Sequence, residues 1–147
     1  MKKWTKLTRC DDLAYLHPVL RAKVPALLAD VQGHFDPKAV QFRVFETGRS
    51  YARQVQLVAQ GVSKTLHSQH LVGRAVDIIP FVFRGGTWQP TWEALLGKEG
   101  RSWTDLLTSS ATAHYLDRVY FTGPHGSYPD GPHVQLQPAV SDTCEGW

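Results

Sequence analysis

Apolar positions along the chain change their period several times, and each change marks an element. Leu16, Val19, Leu20, Val24, Leu27, Leu28 and Val31 recur at helical spacing. Asp12 stands where an N-cap belongs and Gly33 where such a helix ends. Pro18 and Pro25 interrupt the ladder, so the pattern predicts a first helix that is kinked or split. Phe35-Asp36-Pro37 is a turn sequence. Val40 to Glu46 alternates in polarity and is rich in β-branched and aromatic residues, which predicts a strand. Ser50 then caps a second helix running from Tyr51 to about Gln60, closed by Gly61. A polar loop from Val62 to Gln69 leads to a strand over Ala75 to Phe83. Arg84-Gly85-Gly86-Thr87 predicts a hairpin turn, with Trp88 on the returning arm.

Downstream, Thr91 caps a short helix reaching Leu96. A longer helix starts near Ser102 and carries Trp103, Leu106, Leu107 and Leu116 on its apolar side. Arg118 to Thr122 reads as a strand, Thr122 to Asp130 as a glycine- and proline-rich loop, and Pro132 to Gln137 as the last strand. Residues 1–11 and the tail read as irregular. This order predicts the α+β class, a small antiparallel β-sheet flanked by helices. With no internal repeat and no linker, residues 1–147 form a single domain.

Composition narrows the class without naming a function. A chain of 147 residues, 42% hydrophobic and 20% charged, can bury a core without staples, which argues against disorder. The formal net charge of +3 suits an anionic partner. There is no block of five or more like charges and no nucleic-acid-binding signature, so no nucleic-acid partner is expected. Cys10 and Cys144 lie near opposite ends and have no zinc-motif spacing. They read as two free thiols, with a single bridge between the termini as the alternative. Met1-Lys2-Lys3-Trp4-Thr5-Lys6 is charged like a signal peptide, but Asp11 and Asp12 interrupt before any apolar segment forms. No apolar run approaches the roughly 20 residues of a membrane span. The expectation is a protein made in the cytoplasm, without a signal peptide and without a membrane partner.

The chemistry concentrates in Ser68-Gln69-His70-Leu71-Val72-Gly73-Arg74-Ala75-Val76-Asp77 and, far downstream, in Asp130-Gly131-Pro132-His133. Two histidines and an aspartate can close three corners around a zinc ion and leave the fourth to water, the arrangement of catalytic rather than structural zinc. Alternate strand residues share a face, so Asp77 lies with Ala75 and Ile79, and His133 with Gln135. If the two strands pair, Asp77 and His133 stand side by side, and His70 enters from the loop before the first strand. Gly73 permits the tight path between His70 and that strand. An unpaired aspartate within Ala75-Val76-Asp77-Ile78-Ile79 would be costly, which speaks for a partner at Asp77.

Ser68-x-His70-x-x-Gly73-x-Ala75-x-Asp77 followed by Asp130-x-x-His133 resembles the zinc peptidases that cut bacterial cell-wall peptides. These include the D-alanyl-D-alanine carboxypeptidases and dipeptidases, and phage endolysins that act as L-alanyl-D-glutamate endopeptidases. The resemblance runs from about Phe42 to Leu136 and takes in Thr47-Gly48-Arg49-Ser50 with Gln54. It implies a hedgehog/D-Ala-D-Ala-peptidase-like fold and one Zn2+ per chain held by His70, Asp77 and His133. It also implies Asp130 as the general base. Aspartate stands at 130 where the family often has glutamate, a departure shared with phage members. Arg49 is the candidate for stabilising the oxyanion or holding a substrate carboxylate. Ser68 is the candidate for a hydrogen bond to the substrate. The expected partner is a peptidoglycan stem peptide, met by a monomer without a separate cell-wall-binding domain and acting on the bacterial wall.

Three functions fit these residues. The first is an L-alanyl-D-glutamate endopeptidase of the endolysin type, favoured by small size and by Asp130. The second is a D-alanyl-D-alanine carboxypeptidase, which Arg49 would serve by binding the free carboxylate. The third is a metal-binding module without activity, for which a fourth protein ligand such as His67 or His125 would speak. Pro129-Asp130-Gly131 is also an ordinary turn sequence. His17, His34 and His114 read as structural or exposed, and Gln54 as a packing residue beside the site. Trp88, Trp92 and Tyr128 are candidate groove walls, and specificity is expected in Ser63 to His67 and Thr122 to Tyr128.

Overall fold

The structure, a computed structural model, describes residues 1–124 and 126–142, and for 121–123 and 127–129 the backbone alone. The first apolar stripe forms helix α1, Pro18–Gln32. It starts later than Asp12. Asp12 instead caps a separate single turn, Leu13–Tyr15, its Oδ1 accepting from the Ala14 N–H at 2.8 Å. Proline disfavours helical backbone in the residue before it but suits the first helical position, so the break falls at His17. The buried His17 is the true N-cap, with Nδ1 accepting from the Val19 N–H at 3.1 Å. Pro25 sits inside α1, where it removes the bond to the Arg21 carbonyl.

Strand β1 (Val40–Glu46), helix α2 (Tyr51–Ala59), strand β2 (Ala75–Arg84) and strand β3 (Thr87–Pro90) follow, with the hairpin at Gly85-Gly86 as expected. No helix forms over Thr91 to Leu96. That segment is too short to nucleate one, and tertiary partners satisfy its backbone instead. Leu96 bridges to Ser102, and the Trp103 indole N–H donates to the Glu93 carbonyl at 2.8 Å. Helix α3 covers Trp103–Ala113 and stops at Tyr115, whose φ of 58° no helix can continue. Leu116 therefore opens strand β4, Leu116–Gly123, rather than extending the helix.

Strand β5 runs over Gly126–Leu136, so the segment expected to be a loop is mostly a β-hairpin with β4. Its turn-forming residues sit at the tip and in a bulge, where a strand tolerates them. The antiparallel order is β1-β2-β5-β4, with β3 beside β2. Leu20, Val24, Leu27 and Val31 of α1 and Trp103, Leu106, Leu107 and Ala111 of α3 pack on one sheet face. They meet Phe42, Val76, Ile78, Leu116, Val134 and Leu136 there. That face carries the hydrophobic core. Alternation sends Asp77, His133 and Gln135 to the opposite face. Among the described residues no helix is long and apolar enough to cross a membrane.

Candidate metal centre

Each side chain of the centre is delivered by a different local device. Ser68 caps the turn Gln69–Val72, its Oγ accepting from the His70 N–H at 3.2 Å. Gly73 closes that turn at φ 68°, a conformation that a Cβ would strain. The turn is stitched to the end of β1: the Arg49 N–H donates to the His70 carbonyl at 3.1 Å, and His70 Nδ1 lies 2.8 Å from the Thr47 carbonyl. Thr47 is itself fixed, since its hydroxyl donates to the Asp12 carbonyl at 2.8 Å. Asp77 and His133 are direct cross-strand partners of β2 and β5, as the alternation predicted.

Three donor atoms converge. Asp77 Oδ1 lies 3.1 Å from His70 Nε2 and 3.4 Å from His133 Nδ1, and the ligand atoms of the three residues fall within 4.8 Å of one another. Each imidazole spends its other nitrogen on an acceptor: His70 Nδ1 on the Thr47 carbonyl, and His133 Nε2 on Gln135 Oε1 at 2.8 Å. Those contacts hold the proton on the outer nitrogen and turn an inner lone pair toward a carboxylate oxygen. Lone pairs facing lone pairs repel unless positive charge stands between them, either a second proton on the ring or a metal cation. Burial works to raise the Asp77 carboxyl, but His70 and His133 outweigh it and hold the group well below the usual carboxylate range. Burial works to lower His133, and Asp77 outweighs it and raises the ring. Two imidazole nitrogens and one carboxylate oxygen form a donor set that fits zinc, and the three residues can hold a metal ion.

His67, considered as a fourth ligand, is exposed at the cleft wall and does not join the three. His125, Cys144 and the Tyr128 side chain lie outside the described residues, and with them any bridge between Cys10 and Cys144. Cys10 itself is buried beside the Thr47 hydroxyl. His17 is the α1 cap, and His114 pairs with Asp30 at 3.0 Å.

The cleft over the centre encloses about 800 Å³ and is lined by Arg49, Ser68, His70, Asp77, Asp130 and His133. All the site residues expected from sequence therefore share it. Ser63, Lys64, Thr65 and His67 form one wall, as anticipated. Trp92 stands on the cleft in edge contact with Phe45, ring centroids 5.6 Å apart. Trp88 does not line it and packs on Phe83 at the β2–β3 hairpin instead.

Asp130 is half-buried. Burial pushes its carboxyl up, and Asp77 adds to the rise against His133 and Arg118. Arg49 is more constrained than its sequence suggested. Its guanidinium forks onto Glu46, Nη2 to Oε1 at 2.8 Å and Nε to Oε2 at 3.1 Å, and Nη1 donates to Gln54 Oε1 at 2.8 Å. Nη2 is also 4.0 Å from Asp77 Oδ2.

Glu46 went unnoticed in the sequence because its place depends on a bulge. Val44 pairs with Ile78 and Glu46 with Asp77, so Phe45 is the extra residue and Glu46 lands beside the centre. Burial raises its carboxyl, and hydrogen bonds from Arg49 and Arg53 outweigh that and lower it. Gln135, the partner of His133, was within reach of sequence reasoning. It stands two residues on, on the same strand face.

A family model of the phage L-alanyl-D-glutamate peptidases matches residues 19–95, a span holding Arg49, Ser68, His70 and Asp77. The crystal structure of the Serratia marcescens L-Ala D-Glu endopeptidase ChiX is similar in fold, with a TM-score of 0.52 and 25% sequence identity. The match covers 92% of this chain and 92% of that one. No curated protein matches the sequence.

Proposed function

The chain belongs to the phage L-alanyl-D-glutamate peptidase family, and on that premise we propose that it hydrolyses the L-Ala–D-Glu bond of peptidoglycan stem peptides with one zinc ion at His70, Asp77 and His133. One observation supports this reading above the rest. Among the described residues the donor group is His70, Asp77 and His133, and a raised carboxyl, Asp130, lines the same cleft. A module that only held a metal would have no use for a base in the same cleft.

When bound, zinc supplies a Lewis acid that makes water acidic near neutral pH and polarises a carbonyl. The chain does the rest. Thr47 and Gln135 hold the two imidazoles in the orientation that presents His70 Nε2 and His133 Nδ1. Asp130 takes the proton of the attacking water and delivers it to the nitrogen of the leaving D-glutamate. Its raised affinity for protons, caused by burial, makes it a better base than an exposed aspartate. Arg49 sets positive charge in the cleft for the oxygen that becomes negative, or for a substrate carboxylate. Glu46 and Gln54 fix its plane, so that charge is preorganised rather than recruited. The Ser68 oxygen accepts from the His70 N–H, which leaves the hydroxyl proton to donate to the substrate backbone. The substrate is the stem peptide, and the proposed working form is a monomer.

Metal removal tests this. Protein stripped by a chelator is inert on purified peptidoglycan, and one equivalent of zinc restores the rate of solubilisation. Full activity in metal-free protein contradicts the mechanism.

A further inference from the structure

Asp130 and His133 do not reach the cleft from a regular ladder. Arg118 pairs with Val134 and Tyr120 with Pro129, so the single residue Val119 on β4 faces Asp130, Gly131, Pro132 and His133 on β5. A bulge of that size takes its carbonyls out of register with β4, and carbonyls left without donors away from water are costly. Arg118 meets them. Its Nη1 donates to the Asp130 carbonyl at 3.0 Å and to the His133 carbonyl at 2.6 Å, and its Nη2 donates to the Gly131 carbonyl at 2.9 Å. On its other side it is tied to α3, with Nε donating to Thr108 Oγ1 at 3.1 Å and Nη2 to the Thr104 carbonyl at 3.4 Å.

Directly opposed residues share a sheet face. Arg118 opposes Val134, a core residue, so its side chain lies beneath the sheet while His133 and Asp77 work above it. Arg118 does not line the cleft. We propose that Arg118 is a positioning residue for catalysis: its guanidinium plugs the bulge from the core side and sets where the Asp130 carboxylate stands relative to His133. Three carbonyls of one four-residue bulge converge on a single planar fork. An ammonium is a point donor without that fixed plane and cannot reproduce the arrangement. Burial draws the Arg118 pKa down to about 10, which leaves the group charged at neutral pH. The inference rests on the proposed roles of Asp130 and His133.

The test is Arg118→Lys in the full chain, which keeps the charge and loses the fork. Four quantities are read beside wild type: the visible spectrum of the cobalt(II)-loaded protein, metal affinity by chelator competition, and kcat and KM on a soluble muropeptide. Loss of an outer hydrogen bond to a metal ligand typically costs about 10–100-fold. The expected result is metal affinity and kcat each lowered by that order, KM nearly unchanged, and a shifted cobalt spectrum. A variant with a lower melting temperature but wild-type spectrum, affinity and kcat overturns the proposal, because Arg118 would then be only a staple of the hairpin. If Arg118→Lys does not fold, Thr108→Val removes one anchor of the guanidinium from α3. It should move the same readouts in the same direction by a smaller factor, and no movement overturns the proposal. Wild type that neither binds metal nor cuts sinks the functional reading and this inference together. Active wild type with an equally active, equally metallated Arg118→Lys sinks the inference alone.

Discussion

Asp130→Asn lowers kcat by about 10²–10⁴-fold, the usual contribution of a positioned general base, and leaves the metal content at the wild-type level. Asparagine matches aspartate in shape, but its amide cannot take a proton from water. The substitution should not disturb the backbone. Arg118 holds the carbonyls of Asp130, Gly131 and His133, and those contacts do not involve the Asp130 side chain. Nor does it remove a donor of the proposed metal centre at His70, Asp77 and His133. The measurement is kcat on peptidoglycan at matched zinc content by elemental analysis. A variant as fast as wild type would return Asp130 to the part of a bulge residue with no chemistry.

His133→Ala loses the metal itself. The substitution takes away Nδ1, the donor 3.4 Å from Asp77 Oδ1, and leaves one imidazole and one carboxylate. It also strands Gln135, whose Oε1 sits 2.8 Å from His133 Nε2. After dialysis the variant should carry no stoichiometric zinc and cut no peptidoglycan. His67→Ala is the control, because His67 is exposed on the cleft wall outside the ligand group, and it should keep its zinc. Stoichiometric zinc in His133→Ala would remove His133 from the ligand set. Comparison with Asp130→Asn separates the two roles: one variant keeps the metal without the chemistry, and the other loses both.

Much of this centre is legible in the sequence because strand periodicity is a local rule. Ala75 to Phe83 reads as a strand from its residues alone, so the face of Asp77 is known before its neighbours are. The same holds for His133 and for Gln135. Register is not local. The Phe45 bulge that brings Glu46 beside Asp77 is set by the pairing of β1 with β2, and no pattern in Val40 to Glu46 announces it. The glycines and prolines from Gly123 to Pro132 misled for a related reason. They mark departures from ideal strand, and a tip and a bulge use such residues as readily as a loop does. Arg118 was hidden deepest. The sequence pattern marks it only as the first residue of an ordinary strand, and its partners are carbonyls, which carry no sequence signature.

Among helices, Ser50 caps α2 as predicted, its hydroxyl accepting from the Arg53 N–H, and Ser102, where a helix start is expected, caps α3 by accepting from the Asp105 N–H. Asp12 capped a different turn, because Pro18 restricts the residue before it more strongly than an N-cap attracts a helix start. The expected short helix after Thr91 failed because six residues form few internal bonds, and Trp103 and Ser102 offered better ones.

Digestion of purified peptidoglycan, followed by mass analysis of the new termini, shows which bond the protein cuts. An L-alanyl-D-glutamate endopeptidase leaves fragments that begin with a free D-glutamate amine and muramyl chains that end in L-alanine. Released D-alanine with intact L-Ala–D-Glu bonds would contradict the account and assign the same metal centre to a carboxypeptidase.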